Sequence, residues 1–185
     1  MLMQAARTQL IVIDVQEKLL PAMRNPDDLS AKVLTLVAGA RRLGVPIIVT
    51  EQYPRGLGRS IAPLVEAVGN DARIFEKMAF SAAREADCAG HVAAISRAAN
   101  RPQLVICGIE SHVCVLQSAL DFKASGYDVF VVADAVSSRT DQSIDIATQR
   151  MEAAEISLVT TEMVLFEWLE RAGSEDFRVL SKLIR

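Results

Sequence analysis

The sequence predicts an α/β fold, a three-layer α/β/α arrangement around a central, mainly parallel six-stranded sheet of Rossmann-like type. Two observations carry that reading. Short runs rich in Ile and Val recur with little polar alternation, as parallel strands covered on both faces require. Between them lie segments with apolar residues at helical spacing, and strand–helix alternation of this kind implies βαβ crossovers. At 185 residues the chain fits a single domain, 1–185, large enough to bury a core without metal or disulfide staples.

Taken in order, the first strand covers 10–15, where Leu10-Ile11-Val12-Ile13 runs into Asp14. A helix follows over 29–43, because Val33, Leu36, Val37, Ala40 and Leu43 share one stripe. Gly44 supplies its stop, and Pro46 opens a second strand over 46–50. Residues 51–60 hold Pro54, Gly56 and Gly58 and read as a loop over the carboxyl edge of the sheet. Further strands are predicted over 73–76, 103–108, 129–133 and 156–160. The helices between and after them cover 91–99, 113–125 (closed by Gly126), 142–154 and 161–171. The last of these opens on Thr-Thr-Glu, a capping sequence.

Composition excludes several functions. Net charge is −3 with no basic block, which argues against a nucleic-acid partner. The longest apolar stretches are strand-sized, so no membrane-spanning helix is expected. The first strand begins too early to leave room for a signal peptide. Cys88, Cys107 and Cys114 lack Cys-x-x-Cys spacing, and free thiols in a reducing cytoplasm are the simplest expectation. Only His91 and His112 are present, without ligand spacing, and no phosphate-binding glycine loop occurs; neither metal nor cofactor is expected.

Three predicted strands each lead to a residue with cysteine chemistry: Asp14, Lys77 and, after a short loop, Cys114. Open α/β sheets bind ligands at their strand carboxyl ends. Each residue also has a plain structural reading. Cys114 at a helix start gains thiolate character from unpaired N–H groups, or is a small buried hydrophobe. Asp14 is a general base raised in pKa by burial, or the cap of a short helix, since Asp14-Val15-Gln16-Glu17 matches a capping box. Lys77 is a solvated lysine, or a cation that lowers the thiol pKa and balances Asp14. His112 lies two residues from Cys114, too close in sequence for the usual Cys–His pair, and reads as a pocket or structural residue.

Together these segments resemble the isochorismatase-like cysteine hydrolase superfamily, in the branch of isochorismatase-domain-containing proteins. The resemblance rests on Leu10-Ile11-Val12-Ile13-Asp14-Val15-Gln16, Pro46-Ile47-Ile48-Val49-Thr50-Glu51-Gln52-Tyr53-Pro54 and Phe75-Glu76-Lys77-Met78-Ala79-Phe80-Ser81. Gly108-Ile109-Glu110-Ser111-His112-Val113-Cys114-Val115 is the most telling stretch. The resemblance implies an Asp14/Lys77/Cys114 triad, a cis peptide at Ile109-Glu110, and an oxyanion hole made by the backbone N–H groups of Glu110 and Cys114. It also implies hydrolysis of a small molecule, most directly an amide through a cysteine thioester, and a homo-oligomer of two or more copies. Metal-dependent nicotinamidase relatives carry Asp and His after the second strand, where this chain has Glu51-Gln52-Tyr53. Substrate contacts are expected from Gln52, Tyr53, Leu57, Phe80, Glu110 and Ser111, which flank the triad in sequence. Vinyl-ether hydrolysis, thiol redox chemistry and a binding or scaffold role on the same fold are the alternatives.

Overall fold

The computed structural model describes residues 1–184. Its centre is a sheet of six parallel strands in the order β3-β2-β1-β4-β5-β6. The strands are β1 (Thr8–Ile13), β2 (Ile47–Gln52), β3 (Arg73–Lys77), β4 (Gln103–Ile109), β5 (Asp128–Ser137) and β6 (Ser157–Val159). Helices α1 (Pro26–Arg42), α2 (Pro54–Leu57), α3 (Ala62–Val68), α4 (Ala86–Ala99), α5 (Leu116–Ala124), α6 (Asp141–Ala153), α7 (Thr161–Leu169) and α8 (Glu175–Leu180) complete the chain.

The period-two geometry of a strand explains why the runs are apolar without alternation. Leu10 and Val12 of β1 face one core with Val33, Leu36, Leu64, Val164 and Trp168, contributed by α1, α3 and α7. Ile11 and Ile13 face the other, with Val92, Leu116, Phe122 and Met151 of α4, α5 and α6. Both faces are therefore covered, and the middle of β1 is apolar on both sides. Trp168 is buried in this core, where its indole N–H donates to Thr8 Oγ1 at 3.3 Å, so it packs within its own chain.

Several elements extend beyond their predicted limits, each for a local reason. Helix α1 starts at Pro26 rather than 29, with Pro in its first turn beside Asp27 and Asp28. Strand β5 runs on through Asp134, whose carboxylate accepts bonds from the Thr161 N–H (2.7 Å) and hydroxyl (3.0 Å). Strand β2 continues through Glu51 and Gln52, and part of the expected loop after it is the short helix α2. The expected helix over 113–125 is instead a π-helical turn, Ser111–Val115, followed by α5. Thr160 caps α7 as its sequence predicts, accepting from the Met163 N–H at 3.2 Å.

Strand order places the site. From β1 the chain builds outward through β2 and β3, then returns to lay β4 on the other side of β1. The loops after β1 and β4 therefore diverge, opening a crevice at their carboxyl ends, the switch point of the sheet. Gly108 lets the two strand ends close up. It pairs with Ile13 at φ +115°, and a Cβ there would lie 2.0 Å from the Ile13 carbonyl oxygen. Only glycine meets both demands. Gly108→Ala is accordingly expected to destabilise the fold by about 3 kcal/mol or more, measured by chemical denaturation.

Candidate active site

Asp14 is the first residue beyond β1, in a left-handed conformation at φ 51°. Cys114 lies in the π-helical turn that follows β4. Lys77 ends β3 and is in register with Gln52, the last residue of β2. Three adjacent strand ends and the loop of a fourth thus bring these side chains to the switch point. No helix begins at Asp14, and its carboxylate caps nothing; the capping-box reading is overturned because residues 15–18 form a bridge and turn against the loop before α3.

The Lys77 ammonium lies 2.8 Å from Asp14 Oδ2, and both side chains are 0% exposed. It also donates to Gln52 Oε1 (2.5 Å), Phe80 O (3.0 Å) and Ala79 O (3.3 Å). The Thr50 hydroxyl donates to Asp14 Oδ1 at 2.6 Å. Cys114, only 6% exposed, directs its thiol toward Gln52 Oε1 at 3.9 Å. Gln52 is itself fixed: its Nε2 donates to Met78 O (3.0 Å), and its backbone N–H donates to Gln16 Oε1 (2.7 Å). Gln16 Nε2 returns donations to Gln52 O (3.0 Å) and Gly58 O (2.6 Å), linking strand ends to the overhanging loop.

Burial dominates the electrostatics. It pushes the Asp14 carboxyl up, and the ammonium, Thr50 and the thiol offset this only in part. It also pushes the Cys114 thiol up to about 12; the Asp14 carboxylate adds to the rise, and Lys77 opposes it. A lowered thiol pKa is what a helix start predicts; here desolvation, the largest cause, and Asp14 together outweigh Lys77 and the direction is upward. Cys88 in α4 is buried and pushed up to about 12 as well, and Cys107 is core within β4.

The remaining predicted contacts divide. Gln52 turns toward Lys77 and Cys114 instead of an open pocket. Tyr53 is exposed, its ring covering Gly56, where a Cβ would meet the ring at 2.3 Å. Leu57 closes α2, and its carbonyl accepts from the Lys18 N–H at 3.3 Å. Phe80 gives its carbonyl to Lys77 and leaves its ring at the surface. Ser111 is buried with its hydroxyl unpartnered among the described residues. Glu110 follows a cis peptide after Ile109 and pairs with Arg139 Nε at 2.9 Å. His112 Nδ1 lies 2.9 Å from Ser138 Oγ, holding the turn to the end of β5.

Sequence reasoning gave no role to Thr50 or Gln16, though both stand in the runs that carried the resemblance. Their signal was a polar side chain at or just past the end of an apolar strand. Among the described residues no cluster of three or more His, Cys, Asp or Glu is placed to hold a metal ion, and no helix is long and apolar enough to cross a membrane. Glu51 is buried and bound by the Ser60 N–H (2.7 Å) and Arg59 (2.9 Å).

Residues 8–163 match the model of the isochorismatase domain. The chain belongs to the isochorismatase family. A secreted isochorismatase effector, Isc1 of Phytophthora sojae, is 37% identical over 158 residues, covering 82% of this chain and 71% of that protein. The MAR1 ribonuclease of Caenorhabditis elegans superposes with a TM-score of 0.91 at 32% identity, covering 100% of this chain and 92% of that one. The Escherichia coli YcaC product, an octameric hydrolase of unknown specificity, superposes at 0.89 with 26% identity over 98% of this chain and 90% of its own. The family relation supports a hydrolase on the fold described above.

Two outcomes follow for this isochorismatase-family site. Asp14→Asn removes a charge that holds the thiol up, so its thiol pKa should fall and iodoacetamide alkylation at pH 8 should be several-fold faster than in the wild type. For Glu51, burial pushes the carboxyl up but Ser60 and Arg59 outweigh it, leaving it below its usual 4.5. A lowered folded pKa stabilises above the unfolded value, and that contribution is lost as pH falls through the folded one. Glu51→Gln should therefore flatten the acid limb of the stability–pH curve below about pH 4.5, read by thermal unfolding.

Proposed function

We propose that this chain is a cysteine-dependent hydrolase that cleaves a C–N amide bond of a small molecule through a Cys114 thioester. The observation that carries this reading is the buried contact group itself. A carboxyl raised by burial lies in an ion pair with an ammonium, and both perturb the Cys114 thiol through charge and hydrogen bonds. A neutral thiol needs a base next to it, and Asp14 is that base.

In the proposed cycle Asp14 takes the thiol proton and Lys77 holds the resulting thiolate. The sulfur attacks the amide carbonyl, forming the C–S bond, while the backbone N–H groups of Glu110 and Cys114 receive the oxyanion. Collapse breaks the C–N bond, and the proton on Asp14 passes to the leaving amine or ammonia. Asp14 then takes a proton from water, whose oxygen attacks the thioester carbonyl; collapse breaks the C–S bond, and the proton on Asp14 returns to the sulfur. The products are a carboxylic acid and the restored thiol. Gln52 and Thr50 orient the lysine and the carboxylate through the bonds described above, and the rim residues Tyr53, Leu57, Phe80 and Ser111 shape what enters.

The ribonuclease activity in the name of the MAR1 relative belongs to that protein. A net charge of −3 and a thiol only 6% exposed support a small substrate for this chain. The octameric relative supports a homo-oligomer. The secreted relative leaves the cytoplasmic reading resting on the free cysteines alone.

A screen of small amides should yield one whose turnover is abolished in Cys114→Ser and Cys114→Ala, with circular dichroism and thermal unfolding unchanged. Mass spectrometry of the quenched wild-type reaction should show an acyl adduct on Cys114. Full turnover by the Cys114→Ala protein would refute the covalent scheme.

A further inference from the structure

The strand register carries the nucleophile loop past a second, unused charged group. Ile109 at the end of β4 pairs with Ser137 at the end of β5. The residues that follow, Glu110–Ser111 and Ser138–Arg139, therefore run side by side out of the sheet. They are tied together twice: the His112 N–H and Nδ1 meet Ser138 Oγ at 3.4 and 2.9 Å, and Arg139 Nε donates to Glu110 Oε2 at 2.9 Å.

The ion pair is unequal. The Glu110 side chain is 14% exposed and the Arg139 side chain 62% exposed, so the charge turned outward beside the nucleophile turn is positive. Glu110 occupies only Nε, and the two terminal Nη groups contact no acceptor among the described residues. Guanidinium Nη donors match the two oxygens of a carboxylate in a planar fork. Two other cations at the same edge are already engaged. Arg24 pairs with Asp141 at 3.0 Å, and Lys77 is enclosed with Asp14.

We propose that Arg139 is a specificity-determining residue that recognises a carboxylate on the substrate, so that the substrate class is a small amide that is also an acid. This rests on the amide-hydrolase reading of the same site. Glu110 holds the guanidinium by its Nε edge and leaves the Nη edge free beside the turn that carries Cys114. A single guanidinium, half neutralised by its partner, suits a monoanion better than a phosphate dianion.

The test uses two alkylating agents with the same leaving group and opposite demands on Arg139, anionic iodoacetate and neutral iodoacetamide. Rates of Cys114 modification in the full chain are read by peptide mass spectrometry. The iodoacetate/iodoacetamide ratio is normalised to that of glutathione under the same conditions. The wild-type ratio should exceed that of glutathione. It should fall about three- to fivefold in Arg139→Gln, the range expected for one partly exposed ion pair. Arg139→Lys should lie between the two, and raising salt to about 1 M should erase most of the wild-type preference. An unchanged ratio in Arg139→Gln, or equal slowing of both reagents, overturns the proposal and leaves Arg139 a brace for the turn. A wild-type protein whose Cys114 reacts with neither reagent would instead sink the hydrolase reading.

Discussion

A buried ion pair organises this molecule's chemistry. Lys77 and Asp14 are both withdrawn from water and 2.8 Å apart. Desolvating two charges costs several kcal/mol each, and their attraction repays this only with good geometry and further hydrogen bonds. The surroundings supply them: Thr50 on the carboxylate; Gln52, Ala79 and Phe80 on the ammonium. Gln52 ends β2, Ala79 and Phe80 follow β3, and Thr50 lies beside the end of β1. Breaking such a pair from one side leaves an uncompensated charge, at a cost of about 3–5 kcal/mol. The ends of β1, β2 and β3 are therefore held in mutual register by polar contacts as well as by the sheet.

The pair also decides what the cysteine can be. A thiol beside a carboxylate and away from water stays protonated, and burial pushes Cys114 up to about 12. This would be an inert cysteine if its neighbour were apolar. Here the neighbour is a carboxyl that is itself raised by burial, which makes it a stronger base than an exposed aspartate. Two such groups titrate as a unit, and the proton's position within the pair responds to what binds beside it. A high resting pKa and a nucleophilic role are thus compatible, provided the base is in contact.

Much of the architecture was legible in the sequence, because dry parallel strands leave a continuous apolar signature and helices a periodic one. Leu10-Ile11-Val12-Ile13 declared its strand, and the residue after it declared the edge. Legibility failed where tertiary contacts replaced local preference. The capping box at Asp14 was a sound local pattern, but an ammonium from a strand distant in sequence took the carboxylate. Gln52 read as a pocket residue because it flanks the triad in sequence; its direction depends on Gln16 and Met78, which only the folded register brings near. The helix-start reading of Cys114 counted the backbone dipole and missed the burial that overrides it.

The same reasoning explains why the rim is less constrained than the floor. The floor is fixed by buried and part-buried bonds among strand ends and the loops that leave them. At the rim, Tyr53, Met78 and Phe80 expose apolar surface on loops fixed mainly by their backbones, while Arg139 is held to Glu110 by a single bond. Exposed pairs of this kind contribute little to stability, on the order of 0.2–1 kcal/mol. Their arrangement is therefore free to follow selection for a ligand rather than for the fold. On the proposed function, the buried pair would set the chemistry and the weakly held charge above it the choice of substrate.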